Sequence, residues 1–128
     1  MNDTIREWIG KAETDYRVAE RELAVEHEFD YGPVCFHAQQ CVEKLIKALL
    51  IRHEQIPPRS HDLPGLSRLL RSVEPAWNWD EAELTDLTDA AVDDRYPGTV
   101  ASREDAQHMF DLCRRLRQSL LTLLGPPA

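Results

Sequence analysis

The chain has 128 residues, which suits one domain spanning 1–128, and 42% of them are hydrophobic, as in an ordinary globular protein. The formal net charge of −8 argues against a protein that holds nucleic acid over a broad basic surface. No stretch is apolar for long enough to cross a membrane, and the N-terminus lacks the apolar core of a signal peptide. We therefore expect a cytoplasmic protein with no membrane partner.

The first two predicted helices run from Ile5 to about Val25 and from Pro33 to His53. A capping box at Thr4-Ile5-Arg6-Glu7 is expected to begin the first. The second carries the broadest apolar face, and we expect Leu45 at the centre of the core. Its polar side chains fall largely on the opposite side, where we expect either a solvated face or a surface for a phosphate or an acidic partner; they are His37, Gln40, Glu43, Lys44 and Lys47.

The third and fourth helices follow the break at Pro57-Pro58. Ser60 or Asp62 is expected to cap the third, which ends by Glu74. Asp80 is expected to cap the fourth, which is strongly acidic.

The fifth predicted helix begins after a variant capping box at Ser102-Arg103-Glu104-Asp105 and ends before Gly125. No run alternates apolar and polar residues as a strand does. We therefore predict an all-α, up-and-down antiparallel four-helix bundle with one additional short helix.

The pattern of histidines and cysteines does not predict a metal site. Metal sites in bundles use Glu-x-x-His on two helices, and no such motif occurs; Glu104 and His108 are one turn apart but alone. No glycine-rich phosphate loop is present, so we expect neither a metal nor a cofactor. The three cysteines lack Cys-x-x-Cys spacing, which predicts free thiols, with Cys41 and Cys113 in the core.

The junction of the fourth and fifth helices carries the candidate chemistry. Arg95 and Tyr96 fall at the end of the fourth helix, either as a structural clamp or as an exposed cationic site at the mouth of a cleft. Arg103 and His108 lie in the first turns of the fifth helix. Such a pair suits metal-independent RNA cleavage, because histidine can move the 2′-hydroxyl proton while arginine holds the phosphate.

Four segments in order resemble the HEPN family (higher eukaryotes and prokaryotes nucleotide-binding), in its Arg-Tyr-Pro branch. They are Ala12 to Tyr16 with Ala19, Phe36 to Leu50 (FHAQQCVEKLIKALL), His61-Asp62-Leu63 and Arg95-Tyr96-Pro97. The resemblance implies a helical bundle that forms a homodimer and pairs with a small nucleotidyltransferase, often as a toxin–antitoxin unit.

Several branches of the family that the chain resembles are ribonucleases with an Arg, four to six residues, then a His, a spacing that Arg103 and His108 fit. The sequence departs from that pattern at Glu104, where the family commonly has a small polar residue. It departs again at Phe110, where one branch has a tyrosine that receives a nucleotide.

Three functions follow as hypotheses. The first is a HEPN module, non-enzymatic or conditionally active, that partners a nucleotidyltransferase and binds a nucleotide or RNA phosphate near the junction of the fourth and fifth helices. Its candidate phosphate-binding residues are Arg95, Tyr96, His61, Lys44, Lys47 and His37. The second is a metal-independent ribonuclease toxin in which Arg103 and His108 are catalytic. The third is a purely structural helical adaptor.

Overall fold

A computed structural model describes residues 2–27, 29–93 and 97–126. Its five helices are α1 (Asp3–Ala24), α2 (Gly32–Arg52), α3 (Leu63–Val73), α4 (Glu81–Asp93) and α5 (Arg103–Leu124). No strand occurs among the described residues, which confirms the predicted all-α class. None of these helices is long and apolar enough to cross a lipid bilayer within the described ranges.

Contacts between the helices establish their directions. The Tyr31 amide donates to the Ala101 carbonyl, and the Arg52 guanidinium donates to the Leu124 carbonyl, so α2 and α5 begin and end together and run parallel. Arg117 of α5 pairs with Glu13 of α1, whose neighbour Tyr16 contacts Phe110 instead, so α1 runs antiparallel to α5. Glu83 near the start of α4 pairs with Arg115 in the second half of α5, so α4 also runs antiparallel to α5. In the order α1, α2, α4, α5 the helices therefore alternate in direction, and α3 is the additional short helix.

Local capping chemistry determines where α1 and α5 begin. The Asn2 side chain accepts the Ile5 amide at 2.8 Å, so Asn2 caps α1, and the capping box predicted at Thr4 is wrong. Ser102 caps α5 as predicted, with its hydroxyl accepting the Asp105 amide at 3.0 Å. Gly125 follows α5 with a φ of 74°, a left-handed value that favours glycine.

The central helix is α2, since each of the other four helices packs against it. Leu45 is fully buried at its middle, as predicted. The expectation that its polar residues lie in solvent is wrong for Glu43 and Lys47, which are only 3% and 6% exposed. An amphipathic pattern assumes one covered face, whereas α2 is covered almost all round.

Aromatic residues in the connections divide between the core and the surface. The sequence places Phe29 and Tyr31 in the turn before α2, where both are expected to cover the end of the bundle. Tyr31 is buried as expected, but Phe29 is 78% exposed and does not cover it. Trp77 is buried and donates its indole N–H to Ser67 at 2.9 Å, while Trp79 stacks on it at 5.8 Å between centroids. In the sequence, Trp77 and Trp79 stand in a loop too short to bury both rings easily, which predicts spare apolar area for a dimer; this prediction is wrong for Trp77.

Leu50 and Ile51 fall outside the narrow apolar stripe of α2 that Ala38, Cys41 and Leu45 define, so the sequence also predicts a dimer surface at these two residues. Leu50 is fully buried in the single chain, and Ile51 is half-buried against the main core. The predicted interface therefore loses most of its area, although the homodimer itself stays a prediction.

The three cysteines are free and buried, as predicted for Cys41 and Cys113. A hydrogen bond with Cys113, together with burial, raises the pKa of the Cys41 thiol well above its usual range. The Cys41 thiol therefore behaves as a small core residue rather than as a nucleophile.

Candidate functional site

A groove of about 1030 Å³ lies where α4 and α5 meet the loops that precede α2 and α5. Two hydrogen bonds between these loops form its edge: Asp30 accepts the Ala101 amide at 2.9 Å, and the Tyr31 amide donates to the Ala101 carbonyl at 3.0 Å. The same Asp30 oxygen accepts the Gly32 amide at 2.9 Å. The carboxylate of Asp30 thus holds the two loops together rather than facing a ligand freely.

Arg103 and His108, the predicted ribonuclease pair, both line this groove and are exposed. Ser102 begins α5 immediately before Arg103, so the arginine occupies the first turn, and His108 lies more than one turn further along. Neither side chain makes a hydrogen bond or an ion pair with any residue in the described ranges. The fold therefore leaves both groups available to a ligand.

The other four histidines are committed to intramolecular contacts. His27 contacts the Glu22 carbonyl, His37 donates to Asp15, His53 donates to Glu74, and His61 donates to Glu43. His108 is the exception within the described part of the chain. This difference separates it from histidines whose role is to join helices and loops.

Carboxylates outnumber the basic groups along the groove. The wall from α4 carries Asp86, Asp89 and Asp93, and the wall from α5 adds Glu104, Asp105 and Asp111 beside Arg103 and His108. Such a lining repels a long polyanion and reduces the number of phosphates that can approach together. It suits one phosphate held locally by Arg103, or a cationic partner.

Two of the predicted phosphate ligands, His37 and Lys44, instead hold α2 to α1. His37 Nδ1 donates to one carboxylate oxygen of Asp15 at 2.8 Å, and Lys44 Nζ donates to the other. The Asp15 side chain is 10% exposed, so the lysine and histidine compensate a nearly buried charge. This is the Asp15 cluster (Asp15, His37, Lys44).

Two further predicted ligands, Lys47 and His61, both bind Glu43. The buried carboxylate accepts Lys47 Nζ at 3.1 Å, His61 Nδ1 at 2.8 Å and the Gln39 amide at 3.1 Å. Gln39 also donates to the His61 carbonyl at 3.0 Å, which fixes the loop before α3. This is the Glu43 cluster (Gln39, Glu43, Lys47, His61), and its carboxylate has three donors.

The structure thus distributes the predicted site residues over three places. Arg103 and His108 share the groove, whereas the two clusters on α2 contain His37, Lys44, Lys47 and His61, none of which lines it. Arg95 and Tyr96 lie outside the described residues. A phosphate-binding role for these six residues stays a prediction.

Sequence reasoning missed Asp15 as the partner of two cations. A signal was present, because Asp15 follows Ala12 by three residues and precedes Ala19 by four, on the apolar stripe of α1. A charged residue at a buried position requires compensation from a neighbouring element. His37 and Lys44 provide it.

Two further expectations concern metal and nucleotide transfer. No group of three or more His, Cys, Asp or Glu side chains could hold a metal ion among the described residues. Phe110 is buried and packs on Tyr16 with ring centroids 5.2 Å apart, so it belongs to the core and not to the groove wall. Glu104, the other departure from the ribonuclease pattern, does line the groove.

Comparison with known proteins agrees with this fold. The structure is similar to the crystal structure of TT1696 from Thermus thermophilus, with a TM-score of 0.74 and 21% identity over 93% of this chain and 97% of that one. At that identity the likeness shows the fold alone. No curated protein matches the chain significantly. The HEPN domain model matches residues 5–123, and the chain therefore belongs to the HEPN domain family.

Proposed function

We propose that this protein is a HEPN module, non-enzymatic or conditionally active, that binds the phosphate of a nucleotide or RNA in the α4–α5 groove and works with a small nucleotidyltransferase. Family membership supports a nucleotide- or RNA-related module in general. The observation that carries the proposal is that Arg103 and His108 line one groove without an intramolecular partner among the described residues.

The ion pairs elsewhere in the chain support the choice of Arg103. On α5 itself, Arg114, Arg115 and Arg117 pair with Asp111, Glu83 and Glu13. A guanidinium without a carboxylate partner can make charge-assisted, bidentate contacts to a phosphate at no cost in internal ion pairs. The surrounding acids favour a small ligand, since each further phosphate would meet like charge.

Titration calorimetry with ATP and with a short single-stranded RNA tests phosphate binding. Losing one charge-assisted contact weakens binding by about tenfold or more, so Arg103→Ala and His108→Ala should each do so. Arg71→Ala is the matched control, because Arg71 is an exposed arginine on α3 outside the groove. Equal affinities for wild type and Arg103→Ala would refute the assignment of the groove.

The partner and the dimer rest on the family resemblance. A nucleotidyltransferase gene beside this one, and co-purification of the two proteins, would support the pairing. Light scattering at tens of micromolar tests the homodimer. A mass that stays near 14.7 kDa, the mass of one chain, would refute it.

A metal-independent ribonuclease is the second candidate, and the shared groove position of Arg103 and His108 favours it. His108 would take the proton from the 2′-hydroxyl while Arg103 holds the adjacent phosphate, whose phosphorus this oxygen attacks. The bond from phosphorus to the 5′-oxygen breaks as the new bond forms, and a proton from water completes the leaving 5′-hydroxyl, with a 2′,3′-cyclic phosphate as the other product. Cleavage should persist in EDTA and should disappear in His108→Ala. It should remain in the control His53→Ala, because His53 contacts Glu74 and does not line the groove. No cleavage by wild type at micromolar concentration would exclude this candidate.

The remaining alternative, a structural adaptor, is the outcome if neither binding nor cleavage is found. The cytoplasmic location predicted from the sequence stays a prediction.

A further inference from the structure

The end of the bundle beside the groove exposes several large apolar side chains. Phe29, from the loop before α2, is 78% exposed, and Val100, from the loop before α5, is 50% exposed. Val92 in the last turn of α4 and Val25 after α1 are also exposed. Because the two loops are hydrogen-bonded through Asp30 and Ala101, their apolar side chains lie at the same end of the bundle. Scattered apolar exposure is ordinary, but several such residues beside a groove are not.

The groove continues this apolar surface between its acidic walls. Four apolar side chains line it: Ala90 from α4, Val100 and Ala101 from the loop before α5, and Met109 from α5. The α4 wall carries Asp86, Asp89 and Asp93, none of which forms an ion pair with a basic residue of the described chain. An apolar lining between carboxylates that have no basic partner in the described chain is complementary to a segment that is apolar along one side and basic at its edges.

We propose that this groove and the adjoining Phe29 and Val100 are a docking surface for a basic amphipathic segment of a partner protein. Its bulky apolar side chains would pack on Phe29, Val100 and Met109, and its lysines or arginines would meet the carboxylates of α4. Charge complementarity selects this occupant. A second copy of the chain would bring another −8 and the same acidic walls, so like charges would oppose it.

The inference does not depend on phosphate binding by Arg103 and His108. It does have a consequence for that proposal, because a segment in the groove covers both side chains. The partner segment and a phosphate ligand then exclude each other, and docking blocks whatever Arg103 and His108 bind or cleave.

Fluorescence anisotropy with a labelled synthetic peptide, in which leucines at helical spacing form one face and lysines the other, tests the charge complementarity. The triple variant Asp86→Asn, Asp89→Asn, Asp93→Asn should weaken binding by about tenfold or more, since it removes three attractive charges. The control triple variant Glu7→Gln, Glu20→Gln, Glu54→Gln makes the same change in net charge at exposed positions away from the groove. It should change binding by no more than about twofold.

A second pair of variants tests the apolar part. Phe29→Ser with Val100→Ser should weaken the same peptide, whereas Ile56→Ser should not, although Ile56 is 93% exposed in the loop after α2. Thermal melts by circular dichroism confirm that each variant is folded. The peptide with its leucines scrambled off one face should bind more weakly than the amphipathic peptide.

Equal weakening by the two triple variants would overturn the proposal, because it would show non-specific attraction to an acidic protein. No loss on replacing Phe29 and Val100 would overturn it as well. Titration is done without nucleotide, so failure of phosphate binding leaves the result unaffected. A later addition of ATP that displaces the peptide from wild type would show that the two ligands compete.

Discussion

The polar clusters on α2 and the groove at the α4–α5 end contain the same residue types, but these residues are paired within the chain in the clusters and largely unpaired in the described part of the groove. In the Glu43 cluster a buried carboxylate accepts hydrogen bonds from a lysine, a histidine and an amide, so these groups are already paired within the chain. In the groove Arg103 and His108, which can donate hydrogen bonds as Lys47 and His61 do, have no intramolecular partner in the described chain. Composition alone does not separate these regions, since each is rich in charge.

The difference shows that existing contacts, and not residue type, separate polar groups that hold the fold together from those that remain available to a ligand. Lys47 in the Glu43 cluster and Arg103 in the groove are both cations next to acids. Lys47 is 6% exposed and cannot reach a ligand without breaking its ion pair, whereas Arg103 is exposed. Variants in the two regions should therefore divide cleanly between effects on stability and effects on binding.

The largest expected effect is in the Glu43 cluster. Glu43→Gln removes the negative charge that compensates the buried Lys47, and losing one partner of a buried ion pair costs about 3–5 kcal/mol of unfolding free energy. Urea denaturation measures it, with the exposed Glu20→Gln as a control within about 0.5 kcal/mol of wild type. If Glu43→Gln were as stable as the control, the cluster would not be structural.

Removing a buried apolar side chain from the same helix gives a loss of unfolding free energy with which that of Glu43→Gln can be compared. Leu45 is fully buried, so Leu45→Ala removes transfer free energy and leaves a cavity, at about 2–5 kcal/mol. The thermal midpoint should fall accordingly. An unchanged midpoint would mean that the centre of the core lies elsewhere.

A smaller effect should appear at alkaline pH, and it should arise on the α1–α5 side and not in the groove. Burial raises the pKa of the Tyr16 hydroxyl, against the opposing effect of Arg117. The unfolded chain then loses this proton at a lower pH than the folded chain does. The unfolding free energy is therefore unaffected by this group below about pH 10 and decreases as the pH rises further.

Tyr16→Phe tests this assignment, because it removes the ionisable hydroxyl. The unfolding free energy measured by urea denaturation should then decrease less steeply above about pH 10. His108→Ala, in the groove, should leave the decline unchanged. An identical alkaline slope for wild type and Tyr16→Phe would show that other groups cause it.

The smallest effect on stability is expected in the groove. Arg103→Ala and His108→Ala should each change the unfolding free energy by no more than about 0.5 kcal/mol, because they break no described contact. Urea denaturation beside the binding titrations separates the two properties. A loss comparable to that of Glu43→Gln would mean that these residues hold the fold together.

Much of the architecture could be predicted because helix signals are local. Helical spacing of apolar residues and breaks such as Pro57-Pro58 act within a few residues, and they predicted five helices and their order. Ser102 was recognised as a cap for the same reason. Asn2 was missed because a neighbouring box at Thr4 offered similar chemistry, and either cap satisfies the first amides.

The candidate site was predictable only in part. The sequence placed Arg103 and His108 in the first turns of the fifth helix, but it could not show that both line one groove. The spacing of the α2 cations likewise could not show that they are already paired. Asp15 lies on α1, 29 residues before Lys44, and His61 lies in the loop before α3, 14 residues after Lys47. Only the packing of these elements brings Asp15 to Lys44, and His61 to the Glu43 carboxylate that Lys47 also binds.

By itself the sequence determined the helices, their order and the family, since each depends on short-range spacing or on matching residues. Only the tertiary structure decided which side chains are exposed. It buries Glu43, Lys47 and Trp77 because α2 and the loop after α3 are covered from several directions, and it leaves Phe29 in solvent. It also brings the acids of α4 to face Arg103 and His108, because two antiparallel helices place the end of one beside the start of the other.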